Sequence, residues 1–199
     1  MNRYECFEWL APLLKDQLVV TSLSGQRVEW GHLSKRDADL NLGSMGNALA
    51  VGIGLALALP HRKVLVFESD GSVLLSLFNL PTLANLNPRN LAVFVFDNQA
   101  YSGTRISYPT ATAGKTDLAA VARGSGIDRA LTVSQLEDFM KNASNALNES
   151  GPHFVVCKIE ESLGHRKLTR TTIDLLETKY RFVRYLERTE GKAIFQGRG

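Results

Sequence analysis

Cysteine is scarce in this sequence, with only two among 199 residues. Cys6 and Cys157 lie far apart, and each has apolar neighbours in the sequence. This spacing excludes a disulfide framework and a zinc site built from closely spaced cysteines. We therefore expect two buried free thiols in a protein from a reducing compartment.

The sequence also lacks long apolar runs and an excess of one charge. No stretch approaches the roughly 18 uninterrupted apolar residues of a membrane-spanning helix, and MNRYECFEWL lacks the pattern of a signal peptide. The 23 basic and 20 acidic residues leave a net charge of +3, and the basic stretch HRKLTR (165–170) is typical of a solvated or interface face. We expect a soluble, cytoplasmic protein that binds neither a membrane nor nucleic acid.

Apolar runs of strand length alternate with longer segments of helical composition. The predicted strands are LVVTSL (18–23), KVLVFES (63–69), LAVFVFD (91–97) and HFVVCKI (153–159). The predicted helices cover residues 45–59, 72–86, 115–126 and 134–147. Because the strands are apolar on both faces, the sequence predicts an α/β fold with an open, mostly parallel sheet and helices on both faces.

Several helix ends carry local signals. Ser134 is a candidate N-cap, as is Thr116 or Asp117 for the preceding helix. Pro81 predicts a kink or an early end of the helix over 72–86, since proline removes one backbone donor and crowds the preceding turn.

The last part of the chain falls outside this alternation. We divide the chain into a domain over 1–160 and a C-terminal extension over 161–199 that is helical and forms an interface. The stretch TIDLLETKYRFVRYLER predicts an amphipathic helix, packed on a neighbouring subunit or back on the domain. The residues predicted to share its apolar side are Ile173, Leu176, Tyr180 and Val183.

Two polar loops follow two of the apolar strands. SDGS follows the strand over 63–68, and DNQAYSGT follows the strand over 91–96. Ligands of an open parallel sheet bind beyond the carboxyl ends of its strands, so both loops are expected at one binding edge. Either loop alone is as well explained by an ordinary turn. The pair at one edge favours a ligand site.

The residue types of these loops indicate a cation and a phosphate. A helix starting near Ser72 suits a phosphate, and Gly71 lets the backbone approach it closely, but Asp70 would repel it. A divalent cation between them removes this conflict. Asp70, the amide oxygen of Asn98 and a loop carbonyl such as that of Ala100 would then be its ligands, an oxygen-rich set typical of Mg²⁺.

The interval from Asp70 to Asn98 resembles the diphosphate-binding motif of thiamine diphosphate enzymes. That motif usually begins Gly-Asp-Gly and ends Asn-Asn. Here Ser69 stands for the first glycine and Asp97 for the first asparagine. The resemblance implies that Gly71, Ser72, Asn98, Tyr101 and Ser102 contact the cofactor, and that Asp70, Asn98 and Ala100 bind Mg²⁺.

A second segment, LGSMGNALAVGIGLALALP (42–60), resembles the part of these enzymes that cradles the thiazolium ring. The resemblance implies that the Gly43 carbonyl accepts a hydrogen bond from the aminopyrimidine, that Ser44 adjoins it, and that Met45 wedges beneath the two rings. An unbranched, polarizable side chain suits that wedge. The alternative is that Met45 belongs to an ordinary core and the small residues only permit close helix packing.

The resemblance covers roughly residues 1–160 and is strongest to the small, separately encoded subunits of sulfopyruvate decarboxylases and the matching domain of phosphonopyruvate decarboxylases. It implies a thiamine diphosphate-dependent 2-oxo acid decarboxylase subunit. Arg105 and Thr104 are further candidates to contact diphosphate or substrate. Carboligation of the acetohydroxyacid synthase type, and a catalytically silent cofactor-binding or assembly module, are the alternatives.

One element of such an active site is missing. In this family a glutamate on a separate pyrimidine-binding domain activates the cofactor. The glutamates that could be considered match no such motif, and we interpret them as surface carboxylates: Glu5, Glu8, Glu29 and Glu68. We therefore expect a partner subunit that carries the pyrimidine-binding domain, together with self-association of this chain and a small 2-oxo acid substrate.

Overall fold

The computed structural model describes residues 1–23, 25–102, 107–160, 168 and 174–195. Its strands are β1 (Leu18–Thr21), β2 (Asp39–Asn41), β3 (Val64–Ser69), β4 (Leu91–Asp97), β5 (Ala100–Ser102), β6 (Ser107–Pro109), β7 (Ala130–Val133) and β8 (His153–Lys158). Its α-helices are α1 (Arg3–Leu10), α2 (Gly25–Leu33), α3 (Ala48–Ala58), α4 (Asp70–Leu75), α5 (Asn79–Leu86), α6 (Leu118–Gly124), α7 (Leu136–Asn148) and α8 (Leu175–Glu190). Short 3₁₀ turns cover Ala11–Leu13 and Ala111–Ala113.

Six of the strands form one parallel sheet in the order β2-β1-β3-β4-β8-β7. Strands β5 and β6 form a separate antiparallel hairpin. The predicted α/β fold is confirmed, and the four predicted strands correspond to β1, β3, β4 and β8. Strands β2 and β7 and the hairpin were not predicted from the sequence.

The sheet separates two apolar layers, one on each face. Along β3, Val64 and Val66 point into the layer formed with α3, α5, α6 and α8, while Leu65 and Phe67 point into the layer formed with α1, α2 and α7. This alternation is the period of two that a strand imposes on its side chains. Both faces are apolar because helices cover both, as a parallel sheet requires.

The second layer is rich in aromatic rings and holds both thiols. Phe7 meets Phe96 edge to face with 4.8 Å between ring centroids, a favoured arrangement of aromatic pairs. Cys6 and Cys157 are fully buried in this layer and make no disulfide, which confirms the expected free thiols.

The helices around the candidate site differ from their predicted bounds. The helix predicted over 45–59 begins at Ala48, because Gly46 adopts a left-handed conformation with φ of 79° that ends the preceding loop. The helix predicted over 72–86 is divided into α4 and α5. The predicted early end is therefore observed, at residues 76–78 just before Pro81, and Pro81 itself lies in the first turn of α5, where a backbone donor has no helical partner in any case.

One of the predicted helix caps is observed. The Asp117 carboxylate accepts hydrogen bonds from the Ala119 and Ala120 amides at 2.9 and 3.1 Å, and it caps α6. For α7 the cap residue is Gln135, whose side chain makes no capping bond, so the prediction of Ser134 is wrong.

Helix α8 packs back on the sheet beside β2. Its inward side chains are Thr178, Phe182 and Leu186. The predicted apolar side is wrong for Leu176 and Tyr180, which are 65 % and 54 % exposed, whereas Val183 is half-buried. Ile173 and the basic stretch 165–170, apart from Leu168, lie outside the described residues. The division of the chain at residue 160 stays a prediction.

Across the described residues, we find no helix with the length and apolar character needed to cross a membrane.

Candidate functional site

The carboxyl ends of three neighbouring strands bring charged side chains into one row. Asp70 follows β3 directly and is the first residue of α4, Asp97 ends β4, and Lys158 ends β8. The strand register pairs Ser69 with Phe96 and Asp97 with Lys158. Two carboxylates and one ammonium group therefore occupy the edge at which a parallel sheet binds its ligands.

Asp70 is completely buried and is held by two hydroxyl groups. Its Oδ2 accepts a hydrogen bond from Thr110 Oγ1 at 2.6 Å and lies 3.2 Å from Thr112 Oγ1, whose single proton it shares with a second, closer acceptor. The pKa of the Asp70 carboxyl is raised above its ordinary value, chiefly by burial. The Thr110 hydrogen bond lowers this pKa, and the neighbouring Asp97 raises it further. The structure thus places a carboxylate in surroundings where a bound cation would stabilise its charged form.

Asp97 shares this hydroxyl network. Its Oδ1 accepts from Thr112 Oγ1 at 2.7 Å and from the Gln99 amide at 3.0 Å, while its Oδ2 lies 2.5 Å from Lys158 Nζ. Thr112 therefore touches both carboxylates. Its role was missed in the sequence analysis, because a threonine in the segment after the hairpin carries no local signal of its position.

The chain reverses directly after Asp97. Gln99 has a left-handed φ of 62°, and the Ala100 amide donates to Asn98 Oδ1 at 3.4 Å. This turn leads into β5 and brings Asn98 and the buried Ala100 to the end of β4, beside the end of β3.

Close backbone approach marks the start of α4. A methyl group added at Gly71 would overlap the ring of Tyr101, so Tyr101 lies directly over this glycine. Ser72 is buried, and its Oγ accepts a hydrogen bond from the Gly46 amide at 2.8 Å. Ser72 thereby joins the end of β3 to the loop before α3.

That loop contains the other predicted cofactor residues. Gly43 and Ser44 are exposed and Met45 is half-buried, outside both apolar layers, which disfavours an ordinary core role for Met45. A methyl group added at Gly43 would overlap Leu175 at the start of α8. The Leu175 side chain therefore contacts Gly43, which is otherwise exposed.

Two of the glutamates are not surface carboxylates. Glu68 is completely buried, and its Oε1 accepts from the Leu49 amide in the first turn of α3 at 3.0 Å. Burial raises its pKa. Glu29 is buried and pairs with Arg3 at 2.7 Å.

The prediction was therefore wrong for Glu29 and Glu68, whereas Glu5 and Glu8 are exposed as predicted. The alternation of β3 carried a signal for Glu68, since its side chain lies on the same face as Val66.

The hairpin bears the remaining candidates. Tyr101 in β5 is paired with Tyr108 in β6, and the Ser102 backbone belongs to β5. Thr104 and Arg105 lie outside the described residues.

The residues at this edge fit a magnesium diphosphate. The described residues contain no group of three or more His, Cys, Asp or Glu side chains that could hold a metal ion, so a cation here would need amide and carbonyl oxygens besides Asp70. Asn98 and Ala100 offer such oxygens, and Mg²⁺ prefers oxygen ligands. The Tyr101 ring takes the space that a side chain at Gly71 would fill, so a diphosphate would approach the backbone at the start of α4 beside this ring.

A parallel sheet with polar and charged side chains at its carboxyl edge is typical of the cofactor-binding domains of α/β proteins. Residues 32–157 match the model of the family described as "Thiamine pyrophosphate enzyme, C-terminal TPP binding domain". The chain belongs to this family.

Comparison with known proteins extends the similarity over most of the chain. The sulfopyruvate decarboxylase subunit beta of Methanocaldococcus jannaschii is 33 % identical over 174 residues, which cover 87 % of this chain and 90 % of that protein. The phosphonopyruvate decarboxylase of Streptomyces viridochromogenes is 34 % identical over 165 residues, which cover 80 % of this chain and 41 % of that protein. Both similarities include the loops after β3 and β4.

The fold is also found in solved structures. Benzoylformate decarboxylase from Polynucleobacter necessarius superposes with a TM-score of 0.68 at 19 % identity, over 82 % of this chain and 34 % of that chain. At this identity the likeness establishes the shared fold.

Proposed function

We propose that this chain is the diphosphate-binding subunit of a thiamine diphosphate-dependent 2-oxo acid decarboxylase. The observation that carries the proposal is the buried Asp70, which follows β3 at the ligand-binding edge and is oriented by Thr110 and Thr112. The similarity to a decarboxylase subunit along 87 % of the chain supports the reaction class.

Each candidate residue has a distinct task in this proposal. Asp70, Asn98 and the Ala100 carbonyl would hold Mg²⁺, which in turn binds the diphosphate oxygens. Gly71 and Ser72 would lie beside the diphosphate, with Tyr101 and Ser102 near it. These residues fix the cofactor in position and take no part in moving protons.

The loop before α3 would hold the other end of the cofactor. The Gly43 carbonyl would orient the aminopyrimidine, with Ser44 beside it and Met45 beneath the rings. When bound, thiamine diphosphate would supply the nucleophilic and electron-accepting chemistry that decarboxylation of a 2-oxo acid requires.

A partner subunit is part of the proposal. The relative from M. jannaschii is named a subunit beta, which supports a hetero-oligomer. The partner would carry the pyrimidine-binding domain and the activating glutamate. The names of the relatives make sulfopyruvate and phosphonopyruvate the first substrates to test.

The test is reconstitution of the chain with a subunit that carries a pyrimidine-binding domain. CO2 release and aldehyde formation are measured with sulfopyruvate, phosphonopyruvate and pyruvate, in the presence of Mg²⁺ and thiamine diphosphate. We expect turnover by the complex and negligible turnover by the chain alone.

Robust decarboxylation by the chain alone would refute the two-subunit active site. A condensation product in place of an aldehyde would establish a carboligase. A complex that binds thiamine diphosphate without turnover of any 2-oxo acid would establish a silent module.

A further inference from the structure

The row of charges at the sheet edge contains a residue that the proposed function does not use. Lys158 ends β8 directly opposite Asp97, and its Nζ lies 2.5 Å from Asp97 Oδ2. The Asp97 side chain is fully buried, whereas that of Lys158 is 34 % exposed. The ammonium group thus reaches a buried carboxylate from the neighbouring strand.

Without this ammonium group, the site would contain two uncompensated carboxylates. Thr112 Oγ1 touches Asp97 Oδ1 at 2.7 Å and Asp70 Oδ2 at 3.2 Å, so a single hydroxyl group separates the two acids. Charges this close interact strongly where little water intervenes. A second negative charge beside Asp70 would attract a cation and repel a diphosphate.

We propose that Lys158 is a positioning residue that sets the net charge of the cation site. Lys158 cancels the charge of Asp97. Asp97 then serves only as the hydrogen-bond acceptor that positions Thr112 and the Gln99 amide. Asp70 remains the one carboxylate available to the cation. The inference rests on the proposed function, because it assumes that Asp70 binds Mg²⁺ next to a diphosphate.

Removing the ammonium group separates this role from a structural one. In Lys158→Met, we expect Mn²⁺ alone, followed by electron paramagnetic resonance, to bind about tenfold more tightly, because the site gains a negative charge. Thiamine diphosphate at saturating Mg²⁺, followed by calorimetry, should bind about tenfold more weakly, because the same charge repels it. A disturbed fold would instead weaken the binding of both Mn²⁺ and thiamine diphosphate.

Three matched variants of the full chain serve as controls. Lys158→Arg keeps the charge and should keep both affinities. Asp97→Asn combined with Lys158→Met removes both charges and should restore both affinities to within about threefold. Asp97→Asn alone leaves an unpaired ammonium group and should weaken Mn²⁺ binding.

The comparison of the two variants that contain Asp97→Asn decides the case even where Lys158→Met does not fold. They differ only at Lys158, so the double variant should bind Mn²⁺ more tightly than the single one.

Affinities that fall together in a folded Lys158→Met variant, or that change in none of the variants, would overturn the inference for Lys158 while leaving the proposed function intact. A wild-type complex of this chain with its pyrimidine-binding subunit that binds no thiamine diphosphate would overturn the proposed function, and the role of Lys158 with it.

Discussion

Asp70 receives its two hydroxyl donors from residues 40 and 42 positions further along the chain, Thr110 and Thr112. The carboxylate itself belongs to a short motif that is recognisable in the sequence, between an apolar strand and Gly71. The residues that orient it depend on how the hairpin of β5 and β6 returns to the sheet edge. Single residues of this site therefore differ in how far the sequence alone reveals them.

The same distinction explains why Glu68 was misassigned. Phe67 precedes it and Ser69 follows it, and the sequence offered no partner for a carboxylate in that strand. The partner is the Leu49 amide at the start of α3, a helix whose beginning was predicted three residues too early. Because the sequence did not reveal where α3 begins, it did not reveal that a free amide of its first turn meets Glu68.

Replacing Asp70 by asparagine should lower the Mg²⁺-dependent affinity for thiamine diphosphate by about a hundredfold or more. The anionic metal ligand is lost, while the size of the side chain is kept. Isothermal titration calorimetry with and without Mg²⁺ measures this effect. Asp117→Asn, at the cap of α6, is the matched control and should leave the affinity unchanged. An unaltered affinity in Asp70→Asn would reject the cation site.

Both thiols should resist modification in the folded protein. Burial raises the pKa of Cys6 to about 12 and also raises that of Cys157. At pH 8 both groups are therefore protonated, and the reactive thiolate is absent. A disulfide reagent should label neither thiol in buffer and both in urea. Rapid labelling of either thiol without denaturant would show that the aromatic layer opens readily.

At the scale of elements, the long apolar strands were predictable and the short ones were not. β3 and β4 are six and seven residues long with apolar side chains on both faces, a strong local signal. β2 is only Asp-Leu-Asn, and its extended form comes from pairing with β1. Its tertiary partner, more than its own composition, makes it a strand.

The close packing of α3 on β3 predicts opposite outcomes for two glycines of one helix. A methyl group at Gly52 would overlap Val66, whereas one at Gly54 meets no atom within 4 Å. Gly52→Ala should destabilise the fold by about 1–3 kcal/mol through overpacking. Gly54→Ala should stabilise it by about 0.5–1 kcal/mol through helix propensity.

Urea denaturation measures both changes. Adding Val66→Ala to Gly52→Ala should recover part of the lost stability, since it removes the atoms that the new methyl group meets. Equal effects of the two glycine substitutions would show that α3 does not pack on β3 as described.

At the scale of the whole molecule, one buried arginine joins the end of α8 to the sheet domain. Arg62 donates to Glu190 Oε1 at 2.6 Å, to Tyr185 Oη at 2.8 Å and to the Asp16 carbonyl. The other end of α8 places Leu175 over Gly43, a predicted cofactor residue. The attachment of this helix therefore bears on the cofactor site.

Arg62→Met should loosen α8 and cost about 2 kcal/mol of stability, because Glu190 loses its buried partner and keeps only its contact with the exposed His61 among the ion pairs of the described residues. Amide hydrogen exchange should accelerate across Leu175–Glu190 and remain slow in β3 and β4, whose amides are in the centre of the sheet. Arg181→Met is the matched control.

Arg181 pairs with Asp37 at 2.7 Å, but both side chains are more than one-third exposed, so its loss should cost less than about 1 kcal/mol. The two arginine variants therefore separate a buried attachment of α8 from a surface one. Exchange that accelerates equally in both, or in neither, would show that Arg62 does not hold α8 on the domain. If Arg62→Met shows faster exchange in α8 and also binds thiamine diphosphate more weakly, the contact of Leu175 with Gly43 depends on the attachment of α8 by Arg62.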